Sequence, residues 1–172
     1  MKFAATGWAL LLIWWGFVSG CGGAESREAV YRMKLETAGE VVVGQASAGL
    51  HMIRSYWTIA EYAKASGTDY ATAAKEMQTS QTTETLRMME QNKSEIDRML
   101  EGLQDPPDRY AATLSLLEEL YDAYLSIHEF ALDPPEEALQ DLSRAVSSLE
   151  GRLQESKAAL DKGLHDAALR QE

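Results

Sequence analysis

Ten residues in the first half of the chain recur at alternating steps of three and four: Tyr31, Leu35, Ala38, Val42, Gln45, Gly49, Met52, Tyr56, Ile59 and Ala63. A strand returns to one face every second residue, whereas a helix returns every three to four. The seam therefore predicts one helix from about Ser26 to Ala65, with a heptad-like stripe over many turns. Gly39, Gly44 and Gly49 interrupt it, each weakening a helix by about 1 kcal/mol relative to alanine. Between two of them Val41, Val42 and Val43 offer the alternative of a short strand.

The remainder divides at three turn signals. Ser66-Gly67-Thr68-Asp69 is a stop and then a start: Gly67 suits a left-handed cap, and Thr68 or Asp69 caps the next helix. That second helix is expected to run to about Leu103, with Leu86, Met89, Ile96, Met99 and Leu103 on its apolar stripe. Gln78 to Thr85 holds no apolar side chain and is the weakest helical stretch. Asp105-Pro106-Pro107-Asp108 and Asp133-Pro134-Pro135-Glu136 each read as a helix start with proline in the first turn. An internal duplication is the alternative to reuse of one capping chemistry.

Helix three carries Tyr110, Leu114, Leu117, Tyr121, Tyr124, His128 and Ala131 on one seam. Helix four carries Leu139, Leu142, Val146, Leu149, Leu153, Ser156, Leu160, Gly163 and Ala167. Four amphipathic helices with short connections predict an all-α, up-down-up-down antiparallel four-helix bundle with long helices over residues 26–168. Fraying is expected from His165, with a tail at 169–172. Helices two and three, at about 35 and about 24 residues, differ by roughly 16 Å in length. Either helix two breaks near its polar stretch, or the first hairpin overhangs the second.

Ahead of the seam, Lys2 precedes a nearly continuous apolar run from Ala4 to Val18. That run is too short for a hydrocarbon core of roughly 30 Å, which needs about 20 helical residues. It fits a signal-peptide core, with small residues after it. Val18-Ser19-Gly20-Cys21 resembles the lipobox of bacterial lipoproteins: an aliphatic residue, two small residues and a cysteine. The resemblance covers the first 21 residues only, and Val18 stands where leucine is more usual. It implies removal of residues 1–20 and a diacylglycerol thioether on Cys21, which becomes the mature N-terminus. Residues 21–25 would then be a lipidated tether, and the chain would be held in a bacterial envelope facing the periplasm. Lipoproteins with a residue such as Gly22 after the cysteine often go to the outer rather than the inner membrane. An uncleaved anchor, or a plain signal with a stray cysteine, is the alternative. One cysteine in 172 residues excludes an internal disulfide framework.

With 16 basic and 27 acidic residues, the chain is repelled by nucleic acid and anionic lipid surfaces. No basic block or basic-aromatic interleaving is present, so nucleic-acid binding is excluded. Two candidate sites remain. Tyr56, Trp57, Tyr62 and Tyr70 fall at the tip of the first hairpin, where exposed rings favour partner binding; alternatively they seal the bundle end. In the expected register Thr82 and Thr85 face Gly49, Tyr124 and His128, either lining a polar pocket or filling a satisfied core. No catalytic constellation, phosphate loop, Glu-x-x-His pair or Cys-x-x-Cys-His haem motif occurs. Met33 and His165, at one end of the bundle, face away from their seams. The expectation is a protein-interaction or structural module, or alternatively a periplasmic small-molecule sensor or carrier that uses the polar layer, and not an enzyme. Its only cofactor-like group would be the lipid on Cys21. It would hold a membrane through that lipid and contact another envelope protein or a second bundle.

Overall fold

The computed structural model describes residues 24–69, 72–73, 80–133 and 141–169, with side chains from Arg27 in the first helix and from Glu84 in the second. Among these residues all regular structure is helical: α1 (Ala24–Ser66), α2 (Ser80–Glu101), a 3₁₀ turn (Asp108–Tyr110), α3 (Ala111–Leu132) and α4 (Leu142–Leu169). None of these helices is long and apolar enough to cross a membrane.

α1 runs unbroken through Val41–Val43, so the strand alternative is not realised. Burial outweighs local propensity there: Leu35 and Val42 are fully buried, and Ala38, Met52, Tyr56 and Ala63 of the seam are buried with them. Ala46, Leu50 and Ile53 form a second buried stripe, because α1 packs against α3 and α4 as well as α2. The glycines that weaken the helix in isolation also let neighbours approach. A Cβ at Gly39 would lie 2.8 Å from Leu160 Cδ2, and one at Gly49 would lie 2.7 Å from Ile127 Cγ2. α1 begins at Ala24, inside the stretch expected to be a tether, so little chain separates it from Cys21.

The first turn obeys its sequence. Gly67 takes φ +70°, and the Thr68 N–H donates to the Ala63 carbonyl at 3.1 Å, the six-to-one bond of a Schellman cap. Asp69 Oδ1 then accepts from the Thr72 N–H at 2.9 Å, an N-cap. The second turn departs from expectation. Pro106 and Pro107 precede the helical turn and do not lie in it; Pro107 is extended at φ −57°, ψ 144°. Asp105 and Pro106 each precede a proline and are pushed away from helical backbone; with Pro107 extended as well, winding starts at Asp108. Leu103, beyond the end of α2, is fully buried, and its carbonyl accepts from the Tyr31 hydroxyl at 2.6 Å.

Within the described residues α4 starts at Leu142, where Asp141 Oδ1 accepts from the Arg144 N–H at 3.2 Å. Leu139 and the Pro134-Pro135 pair lie outside the described residues. The fraying expected from His165 does not occur: α4 stays helical to Leu169, with Leu164 and Ala167 buried. The Thr113 hydroxyl, donating to the Gly163 carbonyl at 3.3 Å, ties this end of α4 to the start of α3.

α1 has 43 residues and α3 has 22. The Tyr56 hydroxyl donates to the Ala131 carbonyl, one residue before α3 ends. α1 then continues to Ser66, about 15 Å further at 1.5 Å per residue.

Candidate functional site

The part of α1 beyond the end of α3 carries Trp57 and Tyr62, which are 50% and 43% exposed, with the start of α4 beside it. Trp57 lies one step off the buried seam, which turns it outward. Tyr56 does not belong to this surface: it is buried, and its hydroxyl is spent on Ala131. The seam that places Trp57 outside necessarily places Tyr56 inside. Tyr70 lies outside the described residues, as does Cys21.

The polar layer expected inside the bundle exists with different members. Tyr124 and His128 are 1% and 3% exposed, their ring centroids 5.6 Å apart. Thr85 is half-buried, and the side chain of Thr82 lies outside the described residues. It is Glu90, five residues past Thr85, that faces His128, with Oε1 3.8 Å from Nε2. The expected register is therefore off by more than a helical turn. Gly49 leaves no pocket, since the Ile127 and Met89 side chains fill the space over it.

Glu90, Lys93 and Asp97 stand at i, i+3 and i+7 on α2, and Tyr121, Tyr124 and His128 stand at the same spacing on α3. Each set shares one helix face. Asp97 Oδ2 accepts from Lys93 Nζ at 2.9 Å, and Oδ1 accepts from the Tyr121 hydroxyl. Burial pushes the Asp97 carboxyl up, but these two bonds outweigh it and hold it below the usual carboxylate range. Burial and the Asp97 bond raise the Tyr121 hydroxyl, and burial pushes that of Tyr124 up to about 12. Tyr124 therefore stays a neutral phenol at physiological pH. Its ring lies 5.7 Å from that of Tyr121. Tyr124 Oη and His128 Nε2 are buried without a hydrogen-bond partner. A neutral buried polar group left unpaired costs about 1–3 kcal/mol, so this pair is an unusual feature of an otherwise apolar core. In the sequence Glu90, Lys93 and Asp97 read as solvated charges. The signal for the cluster was their spacing, which repeats that of the polar rings on α3.

A cavity of about 260 Å³ lies elsewhere, between α1 and α4, with Val43, Leu50 and Leu153 among its walls and Arg54, Glu150 and Lys157 around them. The Arg54–Glu150 ion pair spans the two helices beside it. Among the described residues no three His, Cys, Asp or Glu side chains gather to hold a metal. No protein-family model matches the chain, and no curated protein or solved structure matches it either.

Proposed function

We propose that this is a lipid-anchored bacterial envelope protein whose helical domain binds another envelope protein through the projecting end of its first hairpin. The reading is carried by one observation: α1 extends well past the last turn of α3 and presents Trp57 and Tyr62 to solvent. Exposed tryptophan and tyrosine combine large contact area with few rotatable bonds, which makes them frequent interface anchors. The domain acts by binding, not by catalysis.

In this account the helices form an up-down-up-down antiparallel bundle. Tyr31 meets Leu103, Asn92 meets Gln45 and Arg54 meets Glu150, so residue numbers run oppositely on α1 and on α2 or α4. Tyr31 stacks with Tyr110 and Tyr56 reaches Ala131, so numbers rise together on α1 and α3. The lipobox-like Val18–Cys21 supplies the anchor. One acyl chain holds a membrane weakly and two or three hold it firmly, at about 0.8 kcal/mol per buried CH₂. With α1 starting at Ala24, Trp57 would stand about 50 Å from the lipid at 1.5 Å per residue, at the membrane-distal end.

In-cell crosslinking from the exposed Glu61, one helical turn beyond Trp57, tests the contact surface. Trp57→Ala is expected to leave helicity and thermal stability unchanged while the crosslinked partner is lost. Undiminished capture of the same partner by the variant removes this surface from consideration.

A further inference from the structure

We propose that the seam between α2 and α3 is a binding site for the primary ammonium group of a small amine, held by Glu90, His128 and Tyr124. The site is independent of the projecting hairpin end. Three features carry the inference. Tyr124 Oη and His128 Nε2 are nearly fully buried and have no partner in the protein. Glu90 Oε1 stands 3.8 Å from His128 Nε2, too long for a hydrogen bond between them. Two acceptors about 2.9 Å from one tetrahedral ammonium stand roughly 4.7 Å apart, so Glu90, whose long side chain lies at the exposed rim, draws back by about 1 Å to share the guest with His128. An ammonium carries three N–H donors and no acceptor, and the seam offers three acceptor atoms: a carboxylate oxygen, an imidazole nitrogen and a phenol oxygen.

Charge selects the same guest. Among the described side chains, the charged or titratable groups on this face of the seam are Glu90, Lys93 and Asp97 on α2 and Tyr121, Tyr124 and His128 on α3. On the α1 side the neighbouring polar pair is neutral, Asn92 Nδ2 donating to Gln45 Oε1 at 2.9 Å. Lys93 is hydrogen-bonded to Asp97 and acts on Glu90 only as a more distant charge, so Glu90 is left without a hydrogen-bonded cation. A carboxylate guest would meet Glu90 and Asp97 and is disfavoured. The net charge of −11 draws cations to the surface in general. Access is through the rim, where Glu90 is exposed and Lys93 half-buried; both are long, flexible side chains. α2 approaches α3 less closely in backbone than α1 or α4 does, so these rim side chains can swing aside without displacing a packed helix. The tautomer required is the one with the proton on His128 Nδ1, which leaves Nε2 as the acceptor.

The full chain in detergent micelles, ¹⁵N-labelled at histidine, is titrated at neutral pH with n-butylammonium chloride, against tetramethylammonium chloride at matched ionic strength. The expected result is a saturable shift of the His128 Nε2 resonance with n-butylammonium and none with tetramethylammonium, which has no N–H to donate. Glu90→Gln, at the exposed rim where folding is not at stake, is expected to weaken binding at least about tenfold. Tyr124→Phe, which deletes only the hydroxyl, is expected to weaken it about three- to tenfold. Absence of a saturable shift, an equal response to tetramethylammonium, or unchanged affinity in Glu90→Gln overturns the proposal.

Discussion

Two glycines on α1, five residues apart, give opposite predictions for the same substitution. At Gly44 a Cβ would meet nothing within 4 Å, while at Gly49 it would lie 2.7 Å from Ile127 Cγ2 and 3.5 Å from Met89 Cε. Alanine at either position gains roughly 0.5–1 kcal/mol of helix propensity and unfolded-state entropy. At Gly44 that gain stands alone, and Gly44→Ala is expected to stabilise the domain by about that amount. At Gly49 it is opposed by overpacking of about 1–3 kcal/mol. Ile127 Cγ2 is on a β-branched side chain whose χ1 is stiff in a helix, so the neighbour cannot swing away cheaply. Gly49→Ala should therefore range from neutral to about 2.5 kcal/mol destabilising. The gap between the two variants is the overpacking cost alone, or roughly 2–12 °C in Tm at 2–4 °C per kcal/mol for a chain of this size. Urea and thermal unfolding monitored by far-UV circular dichroism measures it. A double-mutant cycle with Ile127→Ala sharpens the test, because removing Cγ2 should relieve the clash and make Gly49→Ala favourable again. Equal stabilisation by both single variants, with no coupling to Ile127, refutes the α1–α3 contact on which the packing rests.

Alkaline titration probes the buried tyrosines. Burial raises the hydroxyls of Tyr31 and Tyr124 to about 12, and raises those of Tyr56 and Tyr121 as well. A raised folded value means their stabilising contribution is complete below the ordinary tyrosine value of about 10 and is lost as pH climbs towards 12. Tyrosinate absorbance should thus appear in two phases, the later one coincident with loss of helicity; a single phase near pH 10 contradicts the burial. At the acid end, the depressed Asp97 carboxyl contributes stability above the usual carboxylate range and loses it as pH falls through its lower folded value. Asp97→Asn is accordingly expected to flatten the acid limb of the stability–pH profile, measured by urea midpoints, and an unchanged limb counts against the Tyr121–Asp97–Lys93 bonds.

How much of this was legible depended on what each residue contacts. The α1 seam was legible because Leu35, Val42 and Tyr56 repeat on one helix face whatever covers it. Ala46, Leu50 and Ile53 were not, because a second buried stripe arises only when three neighbours surround one helix. Gly67 and Asp69 announced their turn through local chemistry alone. The Pro106-Pro107 pair misled: Pro107 restricts Pro106 and is itself extended, so winding starts at Asp108. The polar layer was half legible: Tyr124 and His128 stood out as polar groups on an apolar seam, but their partners depend on the α2–α3 register. A polar stretch such as Gln78 to Thr85 carries no apolar signal that could set that register. Glu90, Lys93 and Asp97 looked like any solvated charges until α3 was laid beside them. The outward Trp57 was legible from its single step off the seam.

Anchorage is the claim on which location and purpose both depend. Mass spectrometry of the N-terminal peptide from protein recovered in envelope membranes tests it most directly. The account predicts a mature chain that begins at Cys21 and carries a diacylglycerol thioether, with Cys21→Ala released from the membrane fraction. A native chain that retains Met1, or that begins near residue 21 without acyl mass while staying membrane-bound, contradicts it.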